Sequence, residues 1–104
     1  MMSELRLSLS AAAILLAIHS GRRYGFDIME VTGLPSGSVY PALRRLEAAK
    51  LIRSDWETCV ASGGPERKYY KITPAGRLTS GRALERFPML SYLGETVLTT
   101  SSQR

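Results

Sequence analysis

One stretch decides the fold, Leu34-Pro-Ser-Gly-Ser-Val-Tyr-Pro-Ala-Leu-Arg-Arg-Leu-Glu-Ala-Ala-Lys50. It opens with turn residues and then takes up helical periodicity, because Val39, Leu43 and Leu46 fall at i, i+4 and i+7. Taken alone, the residues on the face opposite this apolar stripe are also compatible with an ordinary solvated helix surface. That face carries small residues, one aromatic and two arginines: Gly37, Pro41, Arg44 and Ala48, flanked by Ser38, Tyr40 and Arg45.

Both ends of this helix leave alternatives open. Ser36 or Ser38 can serve as the N-cap. With Ser38 as the cap, Pro41 lies in the first turn, where its missing N–H costs little, whereas a Ser36 cap predicts a bend near the start. At the other end, Lys50 stands where a glycine is usual. A left-handed lysine would cost on the order of 1 kcal/mol, unless the chain leaves the helix by another geometry.

The composition limits the function classes. The 104 residues suffice for one core, and the net charge of +5 favours a polyanionic partner, although an unengaged basic surface is the alternative. With one His and one Cys, Cys59, the chain has no internal disulfide and no metal-ligand cluster, and most catalytic schemes lack parts. We therefore expect no enzyme, no cofactor, and a reducing, cytoplasmic setting.

Residues 11–18 form an apolar run, AAAILLAI. A membrane span needs roughly 20 residues, so the run is too short, and we expect no membrane partner. Arg6 alone supplies a positive front end, which disfavours a signal peptide. The run predicts a buried first helix, capped by Ser8 or Ser10 and ending at Ser20-Gly21.

A short second helix is predicted over residues 25–31, with Phe26 among its apolar contacts. Thr32-Gly33-Leu34-Pro35 ends it, because Gly follows the helix and Pro cannot continue it. Two short helices joined by a tight turn that contains Gly are typical of a helix-turn-helix, whose second helix, here residues 36–49, reads the DNA major groove.

Two strands are predicted next, residues 51–57 and 67–73, joined by the turn residues Ser62-Gly63-Gly64-Pro65. The return strand is basic, with Arg67, Lys68 and Lys71. Three helices followed by a basic hairpin are the element order of a winged helix-turn-helix.

The last part of the chain predicts a helix that begins at Thr73-Pro74, runs to about Phe87 and is broken by Pro88. It carries more apolar residues than a small core absorbs, so we expect a dimerisation segment over residues 74–104 beside a DNA-binding domain over 1–73. Packing on its own subunit is the alternative. The predicted dimer contacts are Leu9, Ala13, Leu16, Leu78, Leu84, Phe87, Leu90, Leu93 and Val97.

Three motifs resemble the PadR family of bacterial transcriptional regulators: residues 24–28 (YGFDI), 38–47 (SVYPALRRLE) and 64–76 (GPERKYYKITPAG). The resemblance implies a winged helix-turn-helix with a C-terminal dimerisation helix, usually a repressor. Some members release DNA when a small aromatic molecule binds between the subunits. Lys50 and the Pro88-broken segment depart from the family pattern. The residues that the resemblance places at DNA are Ser38, Tyr40, Pro41, Arg44 and Arg45 on the helix, and Gly63, Gly64, Arg67 and Lys68 in the wing.

The sequence therefore predicts a mainly α protein with a small two-stranded β-hairpin that binds double-stranded DNA as a homodimer. Arg44 or Arg45 would read bases, because a guanidinium can bond both acceptors of guanine. Two rival functions remain: a protein-interaction module, and a small-molecule sensor with a pocket lined by Trp56, the first helix and residues 87–93. The other predicted DNA contacts are Ser36 and Gly37 at the helix start, and Arg22, Arg23 and Tyr24 as outer backbone contacts.

Overall fold

A computed structural model describes residues 7–57 and 67–93, and it confirms a mainly helical fold with one two-stranded antiparallel hairpin. None of the helices in these two ranges is long and apolar enough to cross a membrane. The elements in chain order are α1 (Leu9–His19), α2 (Gly25–Thr32), α3 (Ser36–Ala48), β1 (Ile52–Glu57), β2 (Arg67–Ile72), α4 (Pro74–Arg86) and a 3₁₀ helix (Pro88–Leu90).

Helix α1 is the axis of the core. Every residue from Ala11 to Ile18 is buried, because α2, α3, α4 and β2 all pack around it. Of the two predicted caps, Ser8 is the one used, and its Oγ accepts a hydrogen bond from the Ala11 N–H at 3.1 Å. The helix ends as predicted, with Gly21 in the left-handed region at φ +113°.

The start of α3 differs from both alternatives that the sequence offered. The N-cap is Pro35, in extended conformation and without a side-chain hydrogen bond, so neither Ser36 nor Ser38 caps the helix. Pro41 consequently lies inside α3 rather than in its first turn. Its ring removes the N–H that would reach the carbonyl of Gly37.

The end of α3 uses a left-handed lysine, with Lys50 at φ +65°. Two backbone hydrogen bonds close this turn: Leu51 N–H to the Leu46 carbonyl at 3.0 Å, and Lys50 N–H to the Glu47 carbonyl at 2.9 Å. This pair of bonds is the Schellman motif, which normally places glycine in that position. The cost of a left-handed lysine is on the order of 1 kcal/mol, and the buried Leu46 and Leu51 offset it.

The hairpin is held on both sides. Its register pairs Ser54 with Tyr70, and Ser54 Oγ donates to a Glu47 carboxylate oxygen at 2.5 Å, which ties β1 to α3. On the other edge of β2, the Tyr70 N–H donates to the Arg23 carbonyl at 2.8 Å. The predicted turn at residues 62–65 and Cys59 lie outside the described residues.

Helix α4 begins at a close approach to the end of α3. Thr73 caps it, accepting from the Gly76 N–H at 3.0 Å, and the Thr73 N–H donates to the Leu51 carbonyl at 3.1 Å. A Cβ added at Gly76 would lie 2.1 Å from that same Leu51 oxygen. Glycine is therefore needed at position 76, because its backbone lies against the Leu51 carbonyl and leaves no room for a side chain.

Small residues, not large apolar ones, form the buried side of α4: Gly76, Ser80 and Ala83. The Ser80 hydroxyl donates to the Arg77 carbonyl at 2.9 Å and lies 2.8 Å from His19 Nδ1, which links α4 to the end of α1. Leu78, one of the predicted dimer contacts, is 71% exposed. The helix ends at Arg86, and Pro88 begins the 3₁₀ helix, as the predicted break requires.

We expect Gly76→Ala to lower the free energy of unfolding by about 1–3 kcal/mol, because the added Cβ meets the Leu51 carbonyl. Gly81→Ala, in the same helix with nothing within 4 Å of the new Cβ, should raise it by about 1 kcal/mol. Urea denaturation of the two variants measures both changes. Equal stabilisation by both substitutions would contradict the close approach.

Candidate nucleic-acid interface

A groove of about 440 Å³ lies where the start of α2, the exposed face of α3 and the hairpin meet. Its walls combine aromatic rings with three cations, so it is both positively charged and partly apolar. Within the described ranges, no three His, Cys, Asp or Glu side chains gather to hold a metal ion. The groove is lined by Tyr24, Gly25, Phe26, Tyr40, Arg44, Trp56, Arg67, Lys68 and Tyr70.

The two faces of α3 are separated as the periodicity predicts. Val39, Ala42, Leu43 and Leu46 are buried against the core. On the opposite face, Tyr40 and Arg44 line the groove. Five more of the predicted DNA contacts lie along α3 without lining the groove: Ser36, Gly37, Ser38 and Arg45 are exposed, and Pro41 is partly buried.

Tyr40 packs directly over the start of α2. A Cβ at Gly25 would lie 2.2 Å from the Tyr40 hydroxyl oxygen, so the missing side chain of Gly25 makes room for this ring. The contact fixes where the Tyr40 ring sits in the groove, and it accounts for the glycine of the YGFDI motif in physical terms.

The hairpin supplies the other two cations of the groove. Lys68 and Arg67 are exposed, and Lys68 Nζ lies 5.6 Å from the centroid of the Trp56 ring. Trp56 is 58% exposed and lies on the sheet face rather than in the core. Lys71 lies instead beside the Tyr69 ring, at 5.8 Å, and does not line the groove.

At the rim of the groove, Tyr24, Arg67 and Glu57 form a cluster that joins the α1–α2 linker to the hairpin. The Tyr24 hydroxyl donates to Glu57 Oε1, and Arg67 Nη2 lies 3.9 Å from the same oxygen. The Arg67 guanidinium carbon lies 4.1 Å from the centroid of the Tyr24 ring, a cation–π distance. The hydrogen bond to Glu57 raises the pKa of Tyr24 above its ordinary value of 10.0.

The remaining predicted backbone contacts lie beside the groove or outside the described residues. Arg23 is exposed and Arg22 partly buried, and neither lines the groove. Gly63 and Gly64, predicted in the wing, fall between residues 57 and 67, which the structure does not describe.

The predicted dimer contacts divide by exposure. Leu9 and Leu78 are exposed, and Leu84 and Phe87 are partly buried against the core. The other described members, Ala13, Leu16, Leu90 and Leu93, are buried within the chain itself. Val97 lies outside the described residues, and the interface role of the whole set stays a prediction.

The predicted DNA contacts omit five groove or rim residues: Gly25, Phe26, Trp56, Tyr70 and Glu57. Phe26 was expected to make apolar contacts within the fold, which is wrong, since it is 63% exposed and lines the groove. Gly25 carried a usable signal, because a glycine beside a helix start indicates a close approach. Glu57 carried none, because an isolated acid at a strand end is ordinary in a hairpin.

The helix pair α2–α3 and the hairpin together define a winged helix-turn-helix regulator. The model of the transcriptional regulator PadR-like family matches residues 14–82, more than half of the chain. The protein therefore belongs to the PadR-like family of transcription regulators, which are not enzymes. No curated protein shows significant similarity to the chain.

Solved structures of the same family share this fold. A PadR family transcription regulator from Clostridium difficile R20291 superimposes with a TM-score of 0.69 at 25% identity, over 88% of this chain and 99% of that one. A PadR-like transcription factor from Bacteroides fragilis gives 0.65 at 27% identity, over 84% and 87%. A PadR-like regulator from Bacillus cereus gives 0.60 at 29% identity, over 85% and 89%.

Tyr70 links the groove to stability at high pH. It is 5% exposed, and burial first, then the nearby Tyr40 and Glu47, raises its pKa above the ordinary value of 10.0. The folded state favours the neutral form of Tyr70, which adds to the free energy of unfolding. This added stability is complete below pH about 10 and is lost as the pH rises through the folded-state pKa. We expect Tyr70→Phe to show a shallower alkaline loss of unfolding free energy than the wild type, measured by urea titrations at increasing pH. Parallel curves would contradict this.

Proposed function

We propose that the protein is a sequence-specific DNA-binding repressor that acts as a homodimer. The observation that carries the proposal is the convergence of Arg44 from α3 with Arg67 and Lys68 from the hairpin on one groove. When cations on a recognition helix and on a wing face the same space, they can contact a DNA backbone that runs between the two elements.

Helix α3 would enter the major groove with its exposed face. Its first residues, Ser36 to Ser38, are small and exposed, so the helix start can approach base edges closely. Arg44 or Arg45 would bond the two acceptors of guanine, while Tyr40 adds a hydroxyl and an apolar ring. Lys68 and Arg67 would hold phosphates, which fixes the position of the protein on the duplex.

A dimer would place two copies of α3 about one helical turn apart, roughly 34 Å. The support is three exposed apolar side chains, one each on α1, α4 and the 3₁₀ helix: Leu9, Leu78 and Met89. Leaving them in water is unfavourable, and a second copy of the chain would cover them.

The structure gives less support to the sensor alternative. That alternative requires Trp56 to share a pocket with α1 and residues 87–93. Trp56 instead lines the groove beside α3 and a second hollow beside Arg23, and neither contains residues of those two segments. The DNA-binding experiment distinguishes the proposed function from a protein-interaction module.

We expect Arg44→Ala or Arg45→Ala to cost about 1–3 kcal/mol on the operator and to relax specificity there. Lys68→Ala should weaken operator and random DNA alike and reduce the salt slope by about one unit. Arg82→Ala, an exposed arginine on α4, is the matched control and should change neither. Fluorescence anisotropy over a salt series measures all four variants, with the operator selected from a random duplex library.

Operator binding that survives both arginine substitutions would show that α3 does not read the bases. A wild type that binds no DNA even at low salt would overturn the proposed function in favour of a protein-interaction module.

We expect Leu78→Glu to shift the protein towards monomer, because it places a charge on the proposed apolar interface. Phe26→Glu is the matched control, since Phe26 is equally an exposed apolar residue but lies in the groove. It should leave the dimer intact while weakening DNA binding. Sedimentation velocity at several concentrations separates the two, and an unchanged dimer for Leu78→Glu would place the interface elsewhere.

A further inference from the structure

Glu57 is an acid at the edge of a surface that otherwise gathers cations. It lies opposite Arg67 in the register of the hairpin, next to a groove lined by three cations. A carboxylate in this position repels phosphate, so by itself it opposes DNA binding. Its contacts indicate what that role is.

Two groups converge on the same Glu57 oxygen: the Tyr24 hydroxyl and Arg67 Nη2. The Tyr24 ring in turn lies under the Arg67 guanidinium. Arg67 is therefore held from one side by an aromatic face and from another by a carboxylate. An exposed arginine at the start of a strand would otherwise sample many rotamers.

We propose that Glu57 is a specificity-determining residue that holds Arg67 in one position through the Tyr24–Arg67–Glu57 cluster. This inference rests on the proposed DNA-binding function. A held Arg67 meets a phosphate only when α3 is seated at its proper depth and register. A free Arg67 would reach phosphates in many docking positions, which is how non-specific complexes form. Glu57 thus lowers affinity for random DNA more than affinity for the operator.

The test uses Glu57→Gln, which keeps an oxygen to accept from Tyr24 and removes the charge. Asp55→Asn is the matched control: it removes the same charge from the same strand, at an exposed residue paired with Tyr69 and outside the groove. Its amide oxygen can still accept the Trp56 N–H that Asp55 accepts at 2.9 Å. The probes are the selected operator duplex and a scrambled duplex of equal length and composition.

For Glu57→Gln we expect affinity for the scrambled duplex to rise about threefold or more, with a salt slope steeper by about one unit per subunit. Operator affinity should change less than about twofold, so the specificity ratio falls by roughly threefold. Asp55→Asn should leave the ratio unchanged. A second variant, Tyr24→Phe, keeps the ring under Arg67 and removes the hydroxyl, and it should lower the ratio in the same direction.

A separate measurement needs no DNA. In the free protein, the NMR order parameter of the Arg67 Nε–H should fall in Glu57→Gln and not in Asp55→Asn. Suppose that the wild type binds DNA. An unchanged specificity ratio in Glu57→Gln, or equal effects of Glu57→Gln and Asp55→Asn, would then overturn the role of Glu57 and leave the proposed function standing. Wild type that binds no DNA would overturn the proposed function and this inference with it, whatever the NMR result.

Discussion

The carbonyl oxygen of Leu51 is the junction on which the positions of α3, the hairpin and α4 depend. It accepts from the Thr73 N–H at 3.1 Å and lies 3.0 Å from the Thr73 hydroxyl, which is also 2.8 Å from the Lys50 carbonyl. These contacts fasten the start of α4 to the point where Lys50 turns the chain out of α3. The approach is so close that Gly76 has no room for a side chain.

A second set of contacts fixes the hairpin from the opposite edge. The α1–α2 linker runs beside β2: the Arg23 carbonyl accepts a hydrogen bond from the Tyr70 N–H, and Tyr24 pairs with Tyr69 in an isolated antiparallel β-bridge. The hairpin is therefore joined to the core at both of its edges, although it has two strands and would be marginal alone. Its cations are held on a frame that is ordered before any ligand arrives, which reduces the entropy lost on binding.

Periodicity was enough to predict α3, its buried stripe and the basic hairpin, because each pattern is local and spans several residues. The cap of α3 was not predicted, since Ser36 and Ser38 are the residue type that usually caps a helix, whereas Pro35 caps this one without a side-chain hydrogen bond. Phe26 was misplaced because Ile28, Met29 and Val31 already supply the core contacts of so short a helix. The Tyr24–Glu57 contact joins residues 33 positions apart and follows from the hairpin register, which no local pattern specifies.

Helix α1 has a consequence for how such a regulator diversifies. It contributes an uninterrupted buried segment, Ala11 to Ile18, while it presents nothing to the groove. Helix α1 thus supplies much of the buried core, while α3, the proposed recognition helix, keeps an outer face that takes little part in it. Arg44 and Arg45 are exposed, so substitutions there can accumulate without unfolding the chain. In the proposed function, target sequences can therefore change across descendants while the scaffold stays constant. The buried helix is what leaves the proposed reading face free to evolve.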